Sequence, residues 1–171
     1  MSDLTLTQKL RSSHVMRWHM VRTARQQSVA EHSYRVYLIV QEIAGELELD
    51  TYEIAESLAL WHDLPEVVLG DVPTPTKRLL GGMGEEEAAV DQNYSDLMDT
   101  VDEYCPEIFA LVKMADLAES IDFLRTEGIG ARAREICAGI RESYTRVVEQ
   151  ARIEHPSFNW DQVEKTLGEI L

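Results

Sequence analysis

The hydrophobic and polar positions of this chain repeat with the three-and-four spacing of amphipathic helices. The clearest apolar stripe lies in residues 31–46 and predicts a helix that Ser28 or Thr23 caps at its N-terminus. This stripe consists of Val36, Ile39, Val40, Ile43 and Leu47. His32 lies four residues before Val36, so it heads the face that the helix should bury.

A second apolar run follows directly. Asp50 or Thr51 should cap a helix that continues to about Asp63. Pro65 should end or kink that helix, because proline lacks a backbone N–H. The segment 69–77 contains one glycine and two prolines, which should prevent a regular helix, so the pattern predicts an ordered loop there.

Four more helices are predicted in the second half of the chain. Pro106 begins one of them, and the glycines at 128 and 130 end it. The glycine-rich segment 81–84 is expected to be the most flexible point. No strand-type alternation or internal repeat occurs, so we predict an all-α fold in which residues 1–171 form a single compact domain. The four helices are expected at about 85–104, 106–127 and 131–154, and after Asp161, which should cap the last one.

Length and composition are those of a globular protein. The 171 residues are 44% apolar and 27% charged, which is enough for one domain with a full-sized core. No apolar run approaches the length that spans a bilayer, and the N-terminus has no signal pattern, so a cytoplasmic protein is expected. Cys105 and Cys137 lack metal-type spacing and are expected to be reduced and packed.

The formal net charge of −15 argues against long nucleic acid as a partner, since that affinity comes largely from basic side chains that neutralise phosphates. A small anion can still bind where cations cluster or where a divalent ion is present. Five arginines fall in the first 35 residues, a stretch with only two acids. They are Arg11, Arg17, Arg22, Arg25 and Arg35.

Four ligand-type side chains occupy inward positions of three predicted helices. His32 heads the first apolar stripe, and the adjacent pair His62-Asp63 closes the second helix. Asp116 lies on the apolar face of a third helix, where a cation would remove the cost of burying a carboxylate. Two imidazoles and two carboxylates suit one divalent ion such as Co, Zn, Mn, Ni or Fe, with positions left for water or substrate.

Each of these residues also has a simpler explanation. A histidine on an apolar face is more often a hydrogen-bonded core residue, and a buried aspartate is more often a cap or a salt-bridge partner. Glu66 and Asp71 could orient or deprotonate an attacking water, or they could be solvated acids. Arg17 and Lys77 could hold phosphate or lie at the surface, and Trp18 could stack on a base or pack in the core.

Taken together, these motifs resemble the HD-domain phosphohydrolases, and within them the YfbR-like 5′-deoxynucleotidases. The resemblance covers residues 17–116 and rests on the order and spacing of its segments. They are Arg17-Trp18, Ser-Val-Ala-Glu-His-Ser at 28–33, His62-Asp63 with Glu66, Gly-Asp-Val-Pro-Thr-Pro-Thr-Lys at 70–77, and Val-Lys-Met-Ala-Asp at 112–116.

The resemblance implies an HD-domain helical bundle that holds one divalent ion per subunit. The implied ligands are His32, His62, Asp63 and Asp116. It implies that Glu66 and Asp71 act on the attacking water or on the leaving oxygen. Arg17 and Lys77 would hold phosphate, and Trp18 would pack against the sugar and help to reject a 2′-hydroxyl.

Other features are more similar to the compact phage enzymes of the DatZ type, which hydrolyse dATP to deoxyadenosine and triphosphate. These features are the short chain, the short stretch between Asp63 and Asp116, Pro65, Pro75 and the segment Arg-Trp-His-Met at 17–20. In that branch, the residues that match Trp18, Met20 and Pro75 shape the adenine pocket.

The predicted function is therefore hydrolysis of the 5′ phosphoester of a deoxynucleotide, with dATP as the favoured substrate. The alternatives are a 5′-deoxynucleotidase that acts on monophosphates and a non-catalytic nucleotide sensor; Glu66 and Asp71 argue against the sensor because a pure binder need not activate water. A second ion, Mg or Mn, could accompany a triphosphate. We also expect a homo-oligomer, either a dimer or a hexamer, with no membrane partner and with the host cytoplasm as its location if a phage encodes it.

Overall fold

The regular elements in the described part of the chain are helices. The structure is a computed structural model that describes residues 3–81, 87 and 89–171, apart from the side chains of Thr74, Pro75 and Arg78. Within those residues, β-type pairing is limited to two isolated bridges, so the all-α prediction is confirmed. The helices are α1 (Leu6–Lys9), α2 (Val29–Leu47), α3 (Tyr52–Trp61), α4 (Glu66–Leu69), α5 (Thr74–Leu79), α6 (Gln92–Tyr104), α7 (Glu107–Glu127), α8 (Gly130–Glu154) and α9 (Trp160–Leu167), with a 3-10 turn at Leu10–Ser13.

Capping side chains set several helix starts. Ser28 accepts a hydrogen bond from the backbone of Glu31, as predicted for α2. Asp91 caps α6 by accepting from the backbone of Tyr94, and the earlier part of the acidic helix predicted from residue 85 falls mainly outside the described residues. The prediction that Asp161 caps the last helix is wrong, because the side chain of Asn159 takes that position and α9 begins one residue later.

The proline-rich segment after α4 differs from the prediction. Residues 69–77 were expected to form a loop throughout, but α5 begins at Thr74. Both prolines are compatible with this helix, since Pro73 precedes it and Pro75 falls in its first turn, where a backbone N–H has no helical partner. The flexible point predicted at 81–84 lies almost entirely outside the described residues.

Helix α7 forms the centre of the core. Its buried residues lie around most of its circumference, which is the pattern of a helix surrounded by others. It contacts α2, α3, α6, α8 and α9, and Leu111, Met114 and Ile121 are fully buried within it. Helix α2 packs along α7. Buried polar side chains that face each other across these two helices must therefore form hydrogen bonds with one another.

An irregular segment joins the 3-10 turn to α2 and crosses the C-terminal end of α7. The backbone of Arg17 donates to the carbonyl of Gln27, and the backbone of Ala24 donates to the carbonyl of Glu127. These bonds hold Arg17 and Trp18 beside the N-terminal turn of α2.

The helices in the described part of the chain are each too short or too polar to span a bilayer.

Candidate active site

The four predicted metal ligands converge on one point. The ligand atoms of His32, His62 and Asp63 all lie within 4.8 Å of one another. The Nε2 atoms of the two histidines are 3.3 Å apart, and Nε2 of His32 lies 3.1 Å from Oδ1 of Asp116. Helices α2, α3 and α7 therefore bring together side chains that are separated by up to 84 positions in the chain (116 − 32).

Local structure explains how each side chain reaches this point. His32 lies in the first turn of α2, on its buried face, and is 0% exposed. His62 is the C-cap of α3, so its neighbour Asp63 falls in the turn that follows and can project to the same side. Asp116 lies near the middle of α7, which packs against both α2 and α3.

The outer nitrogens of both histidines are already bonded. Nδ1 of His32 lies 2.6 Å from Oε2 of Glu119, and Nδ1 of His62 lies 2.8 Å from the carbonyl of Ala59. A carbonyl can only accept, and a carboxylate held by several donors also accepts, so each Nδ1 carries the proton and donates it. Both Nε2 atoms then present lone pairs to the same small volume, which is the arrangement of two imidazoles that share a cation.

The charges at this point fit a divalent cation. Burial lowers the pKa of His62 and keeps it neutral. Burial alone would raise the pKa of Asp116, but the charge of Lys113 and the closeness of His32 outweigh it and hold that pKa well below its usual range. The two imidazoles and two carboxylates form a mixed nitrogen and oxygen donor set that suits Zn²⁺ and related ions.

Two further carboxyl groups lie beside the cluster. Glu66 is buried in α4, and burial together with Asp63 and Asp71 raises its pKa to about 9. Its Oε2 atom has no hydrogen-bond partner among the described residues. Asp71 follows Gly70, which has a φ of +75° that glycine adopts without strain. Oδ2 of Asp71 lies 3.4 Å from Nδ1 of His19.

The cations near the cluster differ in how far they are already paired. Arg17 is 3.9 Å from both Asp63 and Asp116, and its buried Nη1 atom has no hydrogen-bond partner among the described residues. Lys77 lies 2.9 Å from Glu87 and 3.9 Å from Glu66. An anionic oxygen close to Arg17 would satisfy a donor that is otherwise costly to bury.

A cleft of about 310 Å³ opens beside the cluster. His62, Asp63, Glu66, Lys77 and Asp116 form part of its polar side, together with Lys113 and Glu87. Its apolar side is formed by Leu58, Pro65, Tyr94, Met98, Phe109 and Val112. A cleft of this size with an apolar wall and a few convergent charges has the usual character of a small-molecule site.

The predicted base-pocket residues lie apart from this cleft. Trp18 is half-buried, stacks on Phe123 with ring centroids 5.9 Å apart, and donates its indole N–H to Gln27. Met20 is 66% exposed. Neither is part of the cleft wall, although Trp18 adjoins Arg17, and the side chain of Pro75 lies outside what the structure describes.

Several residues that the sequence analysis left without a role contact the site. Glu119 is 0% exposed and accepts hydrogen bonds from Gln27, Arg35 and His32. His19 contacts Asp71. The position of Glu119 three residues after Asp116, on the same inward face of α7, was the available signal, because a buried acid there requires partners.

The comparisons with known proteins agree with this architecture. A family model described as an HD domain matches residues 7–124, so the chain belongs to the HD-domain family. The predicted identity as an HD-domain phosphohydrolase close to the phage dATP triphosphohydrolases is confirmed.

Individual relatives narrow the position within the family. The dATP triphosphohydrolase of Cyanophage S-2L is 37% identical over 136 residues, which cover 75% of this chain and 74% of that protein. The 5′-deoxynucleotidase YfbR of Escherichia coli is 30% identical over 105 residues, 56% of this chain and 51% of that protein. The solved structure of the Cyanophage S-2L HD phosphohydrolase (DatZ), bound to dA and one catalytic Zn²⁺ ion, superposes with a TM-score of 0.82 at 30% identity and covers 97% of this chain and 94% of that one.

Proposed function

We propose that this protein is a metal-dependent phosphohydrolase that converts dATP and water to deoxyadenosine and triphosphate. The observation that carries the proposal is the convergence of two imidazoles and two carboxylates beside Glu66, Asp71 and Arg17. The similarity to phage dATP triphosphohydrolases, at 30% to 37% identity over 74% to 93% of their length, supports dATP as the substrate.

His32, His62, Asp63 and Asp116 would hold the ion. When bound, a divalent cation polarises the scissile phosphate and lowers the pKa of the attacking water. Zn²⁺ is the first candidate because the related structure contains it, and Co, Mn, Ni or Fe also suit these donors. A triphosphate would bring a second ion, Mg or Mn, as its own counter-cation.

The reaction is an in-line displacement at the α-phosphorus. A bond forms between that phosphorus and the water oxygen, and the bond to the 5′ oxygen breaks. Arg17 lies close enough to Asp63 and Asp116 to bind an α-phosphate that is held against the ion, and Lys77 is placed in the cleft wall to bind phosphate further along the tail. Both cations would stabilise charge that builds up on the phosphate oxygens.

Glu66 and Asp71 would divide the two proton transfers of this reaction. One carboxyl group accepts a proton from the attacking water, and the other supplies a proton to the leaving 5′ oxygen. Burial raises the pKa of both groups, which suits proton exchange near neutral pH. The unpartnered Oε2 atom of Glu66 is available for such a contact.

Substrate choice depends on the length of the phosphate tail and on the base. Trp18, Met20 and Pro75 would contact the nucleoside, with Trp18 against the deoxyribose. Arg25 is not assigned to the triphosphate tail, because its guanidinium already contacts Glu31 and Glu127. The alternative substrate is a deoxynucleoside monophosphate, which the similarity to YfbR supports.

The test is a product assay with metal-stripped protein to which Co²⁺, Mn²⁺ or Zn²⁺ is added. Chromatography would follow dATP, dAMP, ATP and dGTP. Deoxyadenosine with intact triphosphate from dATP, while dGTP is spared, would support the proposal. Phosphate from dAMP with dATP untouched would identify a 5′-deoxynucleotidase, and product limited to one equivalent per subunit would identify a nucleotide sensor.

We further propose that residues 1–171 act as one HD domain and that the protein assembles into a dimer or a hexamer. The core formed around α7 by helices from both halves of the chain supports the single domain. Light scattering of the metal-loaded protein measures the assembly directly, and limited proteolysis that releases a stable fragment would contradict the single domain.

A further inference from the structure

A continuous chain of hydrogen bonds connects Trp18 to His32 in the ligand cluster. The indole N–H of Trp18 donates to Oε1 of Gln27 over 2.8 Å, and Nε2 of Gln27 donates to Oε1 of Glu119 over 2.7 Å. The other carboxylate oxygen of Glu119 accepts from Nδ1 of His32 over 2.6 Å. Nε2 of that same His32 ring then faces the ligand cluster.

Gln27 is the central link of this chain. Its side chain is fully buried, and its backbone carbonyl accepts the N–H of Arg17 over 2.9 Å. One residue therefore fixes both members of the Arg17-Trp18 pair, the first through its main chain and the second through its amide. Glutamine suits this position because its amide offers an acceptor and a donor at the same distance from the backbone.

The orientation of the amide is determined by its neighbours. The carboxylate of Glu119 can only accept, so the NH₂ group of Gln27 must face it and the amide oxygen must face Trp18. Glu119 also accepts from Nε of Arg35 over 2.6 Å and from Nδ1 of His32, so three donors converge on a carboxylate that can only accept.

The position of the Trp18 side chain depends on the hydrogen bond to Gln27. Its φ of +63° lies in the left-handed region, which a bulky side chain rarely adopts unless surrounding contacts hold it there. The stacking on Phe123 holds the ring plane, and the bond to Gln27 fixes the rotation of the indole.

We propose that Gln27 is a positioning residue that couples sugar selectivity to metal affinity through the Trp18–Gln27–Glu119–His32 chain. This inference rests on the proposed function, in which Trp18 contacts the deoxyribose and His32 holds the ion. Loss of the amide should let the indole rotate and should leave Glu119 and His32 less firmly oriented. Both changes follow from one side chain that touches neither substrate nor ion.

The experiment compares Gln27→Met with Gln26→Met. Methionine keeps the length of glutamine but removes both hydrogen bonds, and Gln26 is the exposed neighbour that serves as a matched control. Two quantities are measured on each protein. They are the Zn²⁺ affinity of the metal-stripped protein, by competition with a chromogenic chelator, and the ratio of kcat/KM for dATP to kcat/KM for ATP with saturating Zn²⁺.

Gln27→Met should lower Zn²⁺ affinity by up to about tenfold, because it removes one of the three donors that hold Glu119, the outer-shell partner of His32, and it should lower the dATP to ATP ratio. Gln26→Met should change neither quantity. In a Trp18→Phe background, Gln27→Met should no longer change the ratio but should still lower Zn²⁺ affinity, because the two substitutions act on one bond. Gln27→Asn, whose shorter amide cannot reach both partners, replaces Gln27→Met if that protein does not fold.

A Gln27 variant that retains both wild-type values, or that changes one and spares the other, would overturn the coupling. Additive effects of Gln27→Met and Trp18→Phe on the ratio would overturn it as well. Absence of turnover in the wild-type protein would count against the proposed function instead, and the Zn²⁺ titration would still test the link from Gln27 to His32.

Discussion

Replacing Glu119 with glutamine should weaken metal binding without changing the shape of the side chain. Oε1 of Glu119 accepts from two donors, Gln27 and Arg35, whereas Oε2 accepts from His32 alone. The new amide can place its oxygen at only one of these positions. Its orientation therefore decides the outcome.

The donor balance favours one orientation. An amide oxygen at the Oε1 position keeps the bonds to Gln27 and Arg35, whereas the reverse would leave these donors facing an NH₂ group. Each buried donor left without a partner costs about 1–3 kcal/mol, so the oxygen should stay where two donors converge. The NH₂ group then faces Nδ1 of His32, which must accept, and the imidazole proton moves to Nε2.

A proton on Nε2 of His32 points into the ligand cluster and competes with the cation. Loss of an outer-shell partner of this kind typically lowers metal affinity by about 10-fold to 100-fold, or roughly 1.4–2.8 kcal/mol. Chelator competition on metal-stripped protein measures the affinity, and ¹⁵N NMR of the imidazole nitrogens reports the tautomer. Asp122→Asn is the matched control, because the Asp122 carboxylate also binds Arg35 but has Arg125, and not His32, as its other partner among the described residues.

Two results would refute this reasoning. Wild-type Zn²⁺ affinity in Glu119→Gln would show that Glu119 does not set the state of His32. Weakened affinity with the proton still on Nδ1 would show that the amide adopts the opposite orientation and that the loss has another cause.

Three further predictions concern the remaining site residues. Asp63→Ala should abolish turnover with every nucleotide. Asp99→Ala, on the exposed face of α6, should retain it. Activity of Asp63→Ala in metal-stripped buffer would contradict the mechanism. Burial and nearby carboxylates raise the pKa of Glu66 to about 9, so its contribution to stability is greatest below about pH 4.5 and falls as pH rises toward 9. Glu66→Gln should therefore raise the Tm of metal-free protein more at pH 8 than at pH 5, and equal shifts would show that Glu66 is not protonated. Lys77→Met should raise KM for dATP by about tenfold or more, since a hydrogen bond to a charged group contributes about 1.5–3 kcal/mol. The Zn²⁺ affinity should stay unchanged, and Lys165→Met, at an exposed position, is the control.

The sequence was sufficient for most of the helices and for selecting the four side chains that converge in the candidate site. Apolar periodicity located α2 and α3, and Ser28 was correctly proposed as a cap. His32 and Asp116 could be selected because polar groups on an apolar face must be satisfied in the folded protein. The prediction failed where competing local signals were close in strength, as with Asn159 against Asp161 and with the two prolines on either side of Thr74, where α5 begins.

The hydrogen-bond partners of the site were decided by tertiary structure alone. The sequence by itself determined that three helices would each carry ligand-type residues inward, because helical periodicity is a local property of neighbouring residues. It did not determine that Gln27 meets Glu119, 92 positions away, or that His19 meets Asp71. Those contacts depend on how an irregular segment crosses α7, and its path follows from packing between distant parts of the chain rather than from any repeating pattern within it.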